Sequence, residues 1–501
     1  RVLEFGAGQR TLAPLLNAKT WEYDPAIEEI STFPERQFDL VTCFPEGTYI
    51  GGTSKTIDEI EEGDIVSDYY SRPQVVTKKY ENVYSGKMVT IKPNCLPEIT
   101  VTSKHPILIS SIRRVHTKNN TSHKKSAYKF VNDGNVWKNA EDIEKSNWIS
   151  IPRITEKSKS KIDFVKGRGK IPVSNIIDYD IAWLLGLYAG DGCCVFRAKG
   201  AGVCQIALNS KEEDIAEKAV KVFNKMGVNA SINRTAFNRG EKVITVHMTC
   251  FDLCKKLEIM CGKYAHNKKV PDEILYGKDL VARGFLDGLV DSDGCLRESR
   301  GRQYYSIASC SKNLSYGAVD LLHKIGINCR LSKDSRKQYK IHDRVGEMRP
   351  QFTVSWQKNG YEGESINGVS PYGCAKFIGD RVYLRVSKIE TFYTKNIPVY
   401  NIETEDHTYN VPFTVHNCTD VLEHVEPDLL DNVLDKIANH TEWAFFSIAT
   451  RPSNKFLADG RNCHLILEGE DWWRARLSKN FSTIFDETPI RKGEVCFLCR
   501  T

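Results

Sequence analysis

The sequence predicts a multidomain chain that is α/β at its two ends, mostly β just inside them, and α+β with an internal repeat at its centre. Three observations predict this. Of the 501 residues, 1–42 hold 4 Lys/Arg against 7 Asp/Glu and 418–501 hold 10 against 14, so the ends sum to −7 and residues 43–417 to +13. An acidic protein encloses a basic one. The strand-like run "VPFTVHN" stops at Asn417 and passes directly into "CTDVLEHVEPDLLDNVLDKI", an amphipathic stretch of different character. Within the basic part, "LLGLYAGDG" at 184–192 and "FLDGLVDSDG" at 285–294 set Asp191 and Asp293 in matching places 102 residues apart.

At the ends, "RVLEFGAGQ" is an apolar strand running into a glycine-rich turn, and "WEYDP" follows about one helix later with an acid at a strand end. In a doubly wound sheet this layout holds a nucleotide-type ligand: Gly6 and Gly8 let the backbone approach it, and Asp24 or Glu22 binds ribose hydroxyls. Set directly before Cys418, "QFDLVT" at 37–42 gives one continuous strand, loop and amphipathic helix. Joined in this way, the ends resemble a class I S-adenosylmethionine-dependent methyltransferase with a Rossmann-like fold, on "EFGAG", "YDP" and "FDLVTCTDVLEHV". Gln9 stands where the third glycine is usual. The resemblance covers residues 1–42 and 418–501. It implies S-adenosylmethionine as cofactor, held by Glu4, Gly6, Gly8 and Asp24, and leaves the methyl acceptor open. Arg1 already falls within a strand, so the sequence reads as a piece of a longer protein.

The enclosed part begins "CFPEGTYI" at Cys43 and ends "VHN" at Asn417, with "TVTSKHPILI", "NAEDIEKSNWISIP" and "PVYNIETEDHTYNVPFTVHN" along the way. In this order the motifs resemble those of an intein, a self-splicing element with the mostly-β Hedgehog/intein (Hint) fold, here divided as 43–165 and 377–417. "GDIV", "KMVTIK" and "EITVTSKHPILI" predict short strands and turns throughout it. The junction chemistry follows from the residues. A peptide bond is cut without water when a neighbouring nucleophile takes the acyl group, and Cys43 supplies a thiolate for the carbonyl of Thr42. That shift from amide to thioester is uphill. Thr102 and His105, in T-x-x-H spacing, fit as hydrogen-bond partner of the strained junction and as general acid at the departing nitrogen. Cys418 then takes the same acyl group onto its own sulfur. The side-chain amide of Asn417 closes on its own carbonyl as a succinimide, with His416 and His407 placed to polarise or protonate that bond. The thioester finally rearranges to a peptide bond joining Thr42 to Cys418, and no cofactor is needed. After "VY" the family often carries Asp where this chain has Asn401, to which no catalytic role is assigned.

The centre, 170–376, repeats beyond its two acidic motifs: "NSKEEDIAEKAVKVFNKMGVNASI" starts at Asn209 and "CSKNLSYGAVDLLHKIGINCRLS" at Cys310. Two homologous halves imply a pseudo-twofold monomer. Gly186 and Gly288 leave room for two helices to pack closely, which brings Asp191 and Asp293 side by side. Adjacent carboxylates repel, and divalent cations offset the repulsion, activate water and stabilise a leaving oxygen. An ordinary capped helix end is the plain reading of each Gly/Asp stretch, and the duplication argues against it. The paired motifs resemble those of the LAGLIDADG homing endonucleases, with Ala189 in place of the first Asp of the name. The resemblance implies an α+β pseudo-twofold fold, Mg²⁺ bound by Asp191 and Asp293, and Lys268 of "NKKVP" stabilising phosphate charge. It also implies double-stranded DNA as partner, cut at the uninterrupted insertion site. "TEKSKSKIDFVKGRGK" and "KDSRKQYKIHDR" carry basic charge for phosphates, and strands in "RQYYSIAS", "QYKIHD" and "RPQFTVSW" would form curved sheets for the major groove.

Composition narrows the classes further. No run approaches the roughly 18 apolar residues a membrane helix needs, and no leader precedes the first strand. The sixteen cysteines are scattered, and Cys496 and Cys499 form a C-x-x-C without a second pair at metal-ligand spacing. They read as reduced, mostly buried side chains of a cytoplasmic protein, a monomer whose splicing is intramolecular. Two other classes share part of the pattern. A Hedgehog-like autoprocessing domain would use Cys43, Thr102 and His105 but not Asn417 followed by Cys418. A methyltransferase with an inserted recognition domain would explain the ends but neither "HNC" nor Cys43.

Overall fold

A computed structural model of the chain describes residues 2–5, 20–23, 43–53, 55–116, 128–155, 159–167, 169–197, 201–236, 242–299, 301–334, 338–341, 344–347, 349–358, 375–404, 408–416, 422–440, 443–452, 461–462, 464–487 and 493–501. At the start, β1 (Val2–Phe5) and β2 (Thr20–Tyr23) pair in parallel, Val2 opposite Thr20 and Phe5 opposite Tyr23. Parallel neighbours need a crossover between them, as the spacing of "RVLEF" and "WEY" requires. Gly6, Gly8, Asp24 and the run 37–42 lie outside the described residues, as do His407, Asn417 and Cys418.

A β segment follows, with β3 (Phe44–Pro45), β4 (Ile65–Ser67), β5 (Pro73–Pro93), β6 (Ile99–Thr102), β7 (Pro106–His116), β8 (Tyr128–Asn139) and β9 (Trp148–Pro152). Alternating β-branched residues make these strands: Ile99 and Val101 of β6, and Ile149 and Ile151 of β9, are buried. Next, β10 (Lys161–Lys166) and β11 (Ile171–Ile176) form an antiparallel hairpin that buries Ile162 and Phe164.

The centre has two halves of like build. The first holds α1 (Tyr179–Asp191), β12 (Gly192–Arg197), β13 (Ala201–Asn209), α2 (Glu213–Lys225), β14 (Ala230–Ala236), β15 (Lys242–Thr249) and α3 (Phe251–Cys261). After the short α4 (Asp272–Leu275), the second holds α5 (Asp279–Asp293), β16 (Gly294–Ser299), β17 (Arg302–Ser309), α6 (Lys312–Lys324), β18 (Cys329–Asp334), β19 (Gln338–Ile341), β20 (Arg344–Glu347) and β21 (Gln351–Gln357). The two sheets run β12-β13-β15-β14 and β16-β17-β21-β18, the same order in each half. The runs "RQYYSIAS" and "RPQFTVSW" pair with each other as β17 and β21. "QYKI" does not join them: it pairs antiparallel with the next strand, and β19 and β20 make a separate two-stranded sheet.

Helices α1 and α5 meet backbone to backbone. A Cβ on Gly186 would lie 2.1 Å from the Phe285 carbonyl oxygen, and one on Gly288 2.0 Å from that of Trp183, an approach open only to glycine. Across the pair the Tyr179 hydroxyl donates to Asp287 and the Trp183 indole to Asp291, both at 2.7 Å. The β10–β11 hairpin docks on this first half. The Val165 amide donates to Asp252 and the Lys166 ammonium to the Gly227 carbonyl, each at 2.8 Å. The hairpin therefore crosses the division expected between 165 and 170.

Four strands then return to the β segment: β22 (Ala375–Ile378), β23 (Arg381–Thr404), β24 (Thr408–Asn410) and β25 (Thr414–His416). Together they complete an eleven-stranded sheet. Its spine is not the series of short strands expected. β5 has 21 residues and β23 has 24, and they pair antiparallel from Pro93–Val386 to Val76–Thr404 with three register shifts. Each shift bends and twists the ribbon, so that one long strand can serve two parts of the sheet.

The last part has its own core. α7 (Leu430–His440), β26 (Trp443–Ala449), α8 (Glu470–Leu477), β27 (Thr483–Glu487) and β28 (Glu494–Arg500) bury Leu434, Ile448, Trp473 and Phe497 together. β28 lies between β26 and β27 and is antiparallel to both. The short link from β27 to β28 permits only a hairpin. Among the described residues no helix is long and apolar enough to cross a membrane.

Candidate functional site

Cys43 lies just before β3, whose Phe44 and Pro45 pair with Tyr400 and Val399 of β23. It is buried among Tyr84, Met88 and Val399. Its amide donates to the Thr102 hydroxyl at 3.0 Å, and its carbonyl accepts from the Thr102 amide at 3.1 Å. The chain turns directly after β6: the His105 amide donates to the Thr102 carbonyl at 3.1 Å, which is why T-x-x-H spacing brings the imidazole back to the same place. The His105 ring packs on Phe44 with centroids 4.5 Å apart. Thr102 is thus brought to Cys43 across 59 positions of sequence, with His105 against the neighbouring Phe44. Their geometry holds the Cys43 amide nitrogen, the atom that leaves when the acyl group moves to sulfur, against a hydroxyl.

The last strand of the β segment runs past the same turn. β25 pairs Val415 with Ile107, two residues beyond His105, and His416 ends that strand. Asn401 is tied down, its side-chain oxygen accepting from the Tyr409 hydroxyl at 2.5 Å and from the Ile402 amide at 2.9 Å. Sequence reasoning missed what anchors β25. Buried Arg381 donates to Ser150, to the Tyr69 carbonyl and to Thr414, and Thr414 in turn donates to Asn410 at 2.8 Å. Asn410 donates to the Ser67 carbonyl at 2.9 Å. No local pattern signals this network, because its members lie as far as 343 positions apart.

Asp191 and Asp293 are the last residues of α1 and α5. A Cβ on Gly190 would lie 3.5 Å from the Asp293 carboxylate, so the acid of one helix abuts the residue before the acid of the other. Burial pushes the Asp191 carboxyl up to about 7; the Asp293 charge and then Glu212 add to the rise, and Lys268 opposes it. Desolvation raises Asp293 as well, and its exposed side chain argues for the lesser effect there. Lys268 is close by but occupied. Its buried ammonium donates to the carbonyls of Tyr188 at 2.8 Å and Gly192 at 2.7 Å, satisfying the end of α1. It therefore holds the helix that carries Asp191 and is not extended towards a phosphate, as its motif suggested. Among the described residues no group of three or more His, Cys, Asp or Glu is arranged around a metal position. Mg²⁺ is usually held by one or two carboxylates and fills the rest of its octahedron with water and phosphate oxygens.

A family model described as a LAGLIDADG-like domain matches residues 178–263 and 280–349, the two halves built on α1 and α5. This part of the chain is a LAGLIDADG-like domain. Among curated proteins the chain is 28% identical over 220 residues to a replication factor C small subunit of Methanocaldococcus jannaschii, covering 41% of this chain and 12% of that protein. It is 24% identical over 263 residues to an A-type ATP synthase component of Pyrococcus abyssi, covering 52% and 24%. It is 22% identical over 394 residues to an iron-sulfur cluster assembly SufBD family protein of Mycobacterium tuberculosis, covering 75% and 43%. The chain thus spans less than half the length of these relatives. Among solved structures, the homing endonuclease I-DmoI in complex with DNA and Mn aligns with TM-score 0.26 at 15% identity, over 36% of this chain and 90% of that one. The homing endonuclease I-WcaI bound to its DNA recognition sequence aligns with TM-score 0.24 at 17% identity, over 35% and 75%.

In the LAGLIDADG-like domain a second lysine plays the part that Lys268 plays in the first half: buried Lys324, at the end of α6, donates to the Leu275 carbonyl at the end of α4. Sequence reasoning passed over it, since a lysine in the last turn of a helix ordinarily reads as a solvated charge.

Proposed function

We propose that the chain is a precursor that excises residues 43–417 by autocatalytic splicing and joins Thr42 to Cys418, and that the excised part is also a homing endonuclease for double-stranded DNA. The rejoined ends would form an S-adenosylmethionine-dependent methyltransferase. The observation that carries the splicing reading is the paired bonding of Cys43 with Thr102, with His105 against Phe44. The Thr102 hydroxyl accepts a hydrogen bond from the Cys43 amide, His105 is the nearby group able to protonate the departing nitrogen, and the thiol lies on the same residue as that nitrogen. The Arg381–Thr414–Asn410 network holds the strand that leads through His416 to Asn417, so the second cleavage would occur at a fixed place. The relatives support an inserted element: a replication factor, an ATP synthase component and an iron-sulfur assembly protein share no named activity, yet each matches part of this one chain.

For the nuclease, Asp191 and Asp293 would hold divalent metal, which when bound supplies an activated water and a counter-charge for the leaving oxygen. Each aspartate ends a helix that passes directly into the first strand of its own sheet, so each would face one strand of a duplex, and the exposed Arg197, Arg297, Arg330 and Lys333 would meet phosphates. Junction variants test the proposal. Expressed with Cys43→Ala, the chain should give no ligated product while slow cleavage after Asn417 continues; with Asn417→Ala it should stall as a branched or thioester species that hydroxylamine releases. Normal ligated product from Cys43→Ala, read on a denaturing gel, would sink the mechanism.

A further inference from the structure

Three thiols meet on the helix-covered face of the first sheet of the LAGLIDADG-like domain, and no role given above uses them. Cys194 of β12 faces Cys204 of β13 directly in the antiparallel register. Cys254 of α3 closes over the same place: a Cβ on Gly202, two residues before Cys204, would lie 3.2 Å from the Cys254 Cβ and 3.4 Å from its Sγ. All three are free thiols. Cys204 and Cys254 are fully buried and Cys194 is half-buried, so a small oxidant reaches Cys194 first. The Tyr188 hydroxyl donates to the Cys194 Sγ at 3.3 Å, and the Lys268 ammonium lies 3.9 Å from the centre of the Tyr188 ring. Hydrogen bonds from Cys204 and then Cys254 hold the Cys194 thiol below the ordinary thiol value, with Tyr188 and Lys268 acting the same way against burial. A thiolate that is both stabilised and reachable is the reactive kind. The matching place in the second half carries Leu296 facing Tyr305, so the chemistry belongs to one half only.

We propose that Cys194 and Cys204 form a reversible disulfide in the presence of a hydroperoxide, and that this linkage loosens the end of α1 that carries Asp191. Directly opposed residues of an antiparallel pair hold their Cα atoms about 4.5–5.5 Å apart, inside the roughly 4.4–6.8 Å that a disulfide spans. The Cys194 thiolate attacks the peroxide, forming an S–O bond as the O–O bond breaks, and the alkoxide released takes a proton to leave as alcohol, or as water from hydrogen peroxide. The Cys204 sulfur then attacks the sulfenic sulfur; the S–S bond forms, the S–O bond breaks, and the hydroxide leaves as water with the Cys204 proton. The peroxide gains two electrons and each sulfur gives one. A dithiol reverses the bond by exchange. Drawing Cys194 onto Cys204 takes its sulfur from the Tyr188 hydroxyl, and Tyr188 is the residue whose carbonyl accepts both the Gly192 amide and Lys268. The last turn of α1 so loses one of its ties; the consequence for DNA cutting rests on the nuclease reading above.

The test uses the unmutated full chain, reduced or treated with hydrogen peroxide, alkylated, digested and analysed by mass spectrometry, with amide hydrogen exchange on both forms. The expected result is a peptide pair linked through Cys194 and Cys204, removed by dithiothreitol, with amides of 188–192 exchanging at least fivefold faster in the oxidised form. Linkage of Cys194 to Cys254 instead, or a Cys194 that stays reduced at peroxide levels oxidising the exposed Cys295, would overturn the proposal. So would a correct linkage with exchange over 188–192 unchanged. A reduced chain that cuts no DNA would count against the nuclease reading and leave this linkage as measured.

Discussion

Asp191 is held where burial disfavours its charge, next to a second carboxylate at Asp293, and a divalent cation bound there would relieve both costs. Asp191→Asn and Asp293→Asn keep shape and remove that charge. Each should lower metal-dependent cutting of a duplex spanning the fused coding junction by at least about a hundredfold, roughly 2.7 kcal/mol of barrier. Splicing should continue in both, since Cys43, Thr102 and His105 sit elsewhere. Linearisation of a plasmid carrying the junction, with Mg²⁺, measures the first effect; undiminished cutting by either variant would remove that acid from the site. Duplication is what made the two aspartates readable in sequence, because a motif met twice has only one simple geometry. Lys268 marks where such reading stops. "NKKVP" locates the residue, but its ammonium caps a helix whose carbonyl lies 80 positions away, and nothing local announces that partner.

At the scale of the element, the α1–α5 contact was readable from Gly186 and Gly288, since two helices in backbone contact have no room for a side chain. Gly288→Ala puts a methyl group 2.0 Å from the Trp183 carbonyl oxygen and should destabilise by roughly 1–3 kcal/mol, lowering the urea midpoint. Gly169→Ala, whose methyl would meet nothing nearer than 3.9 Å, is the control, and equal midpoints for the two would refute the close approach. A second contact, between α6 and the segment after Cys43, was not readable. Tyr49 stacks on Tyr316 with centroids 4.6 Å apart and donates to Asp320 at 2.9 Å, and Tyr276 donates to the Gly52 carbonyl at 3.0 Å. Burial pushes Asp320 up to about 7, with hydrogen bonds from Tyr49 and the Gly52 amide opposing. Between the unfolded value of about 3.9 and about 7 the folded chain keeps a proton that the unfolded chain has lost, so stability falls as pH rises through that window. Asp320→Asn should therefore show a smaller drop in urea midpoint between pH 5 and pH 8 than the unmutated chain; an unchanged drop would contradict the assignment. The long β5–β23 ribbon escaped the sequence for a different reason. Its middle, "TKKYENVYSG" against "ETFYTKNIPVYN", is half exposed on both faces and lacks the alternation that marks a strand with one buried side.

For the whole molecule, the change in charge at the two junctions and the order of the motifs were open to sequence reasoning because they belong to the chain as a line. What joins the parts in space was not, since the Arg381 network and the Tyr49–Asp320 contact include links of 231, 271 and 343 positions. How the two ends meet stays a matter of motif alone: the glycine-rich turn, the run 37–42 and the second junction lie outside the described residues. Splicing and its consequences all stand on excision. Intact mass measurement of the expressed chain, purified without thiol reagents, tests it most directly. The expected outcome is two products in place of the 501-residue precursor, one with the mass of residues 43–417 and one with the mass of residues 1–42 joined to 418–501, the first lighter by one water for its succinimide until hydrolysis. A single stable species at the precursor mass, unchanged by temperature or by pH, would contradict it.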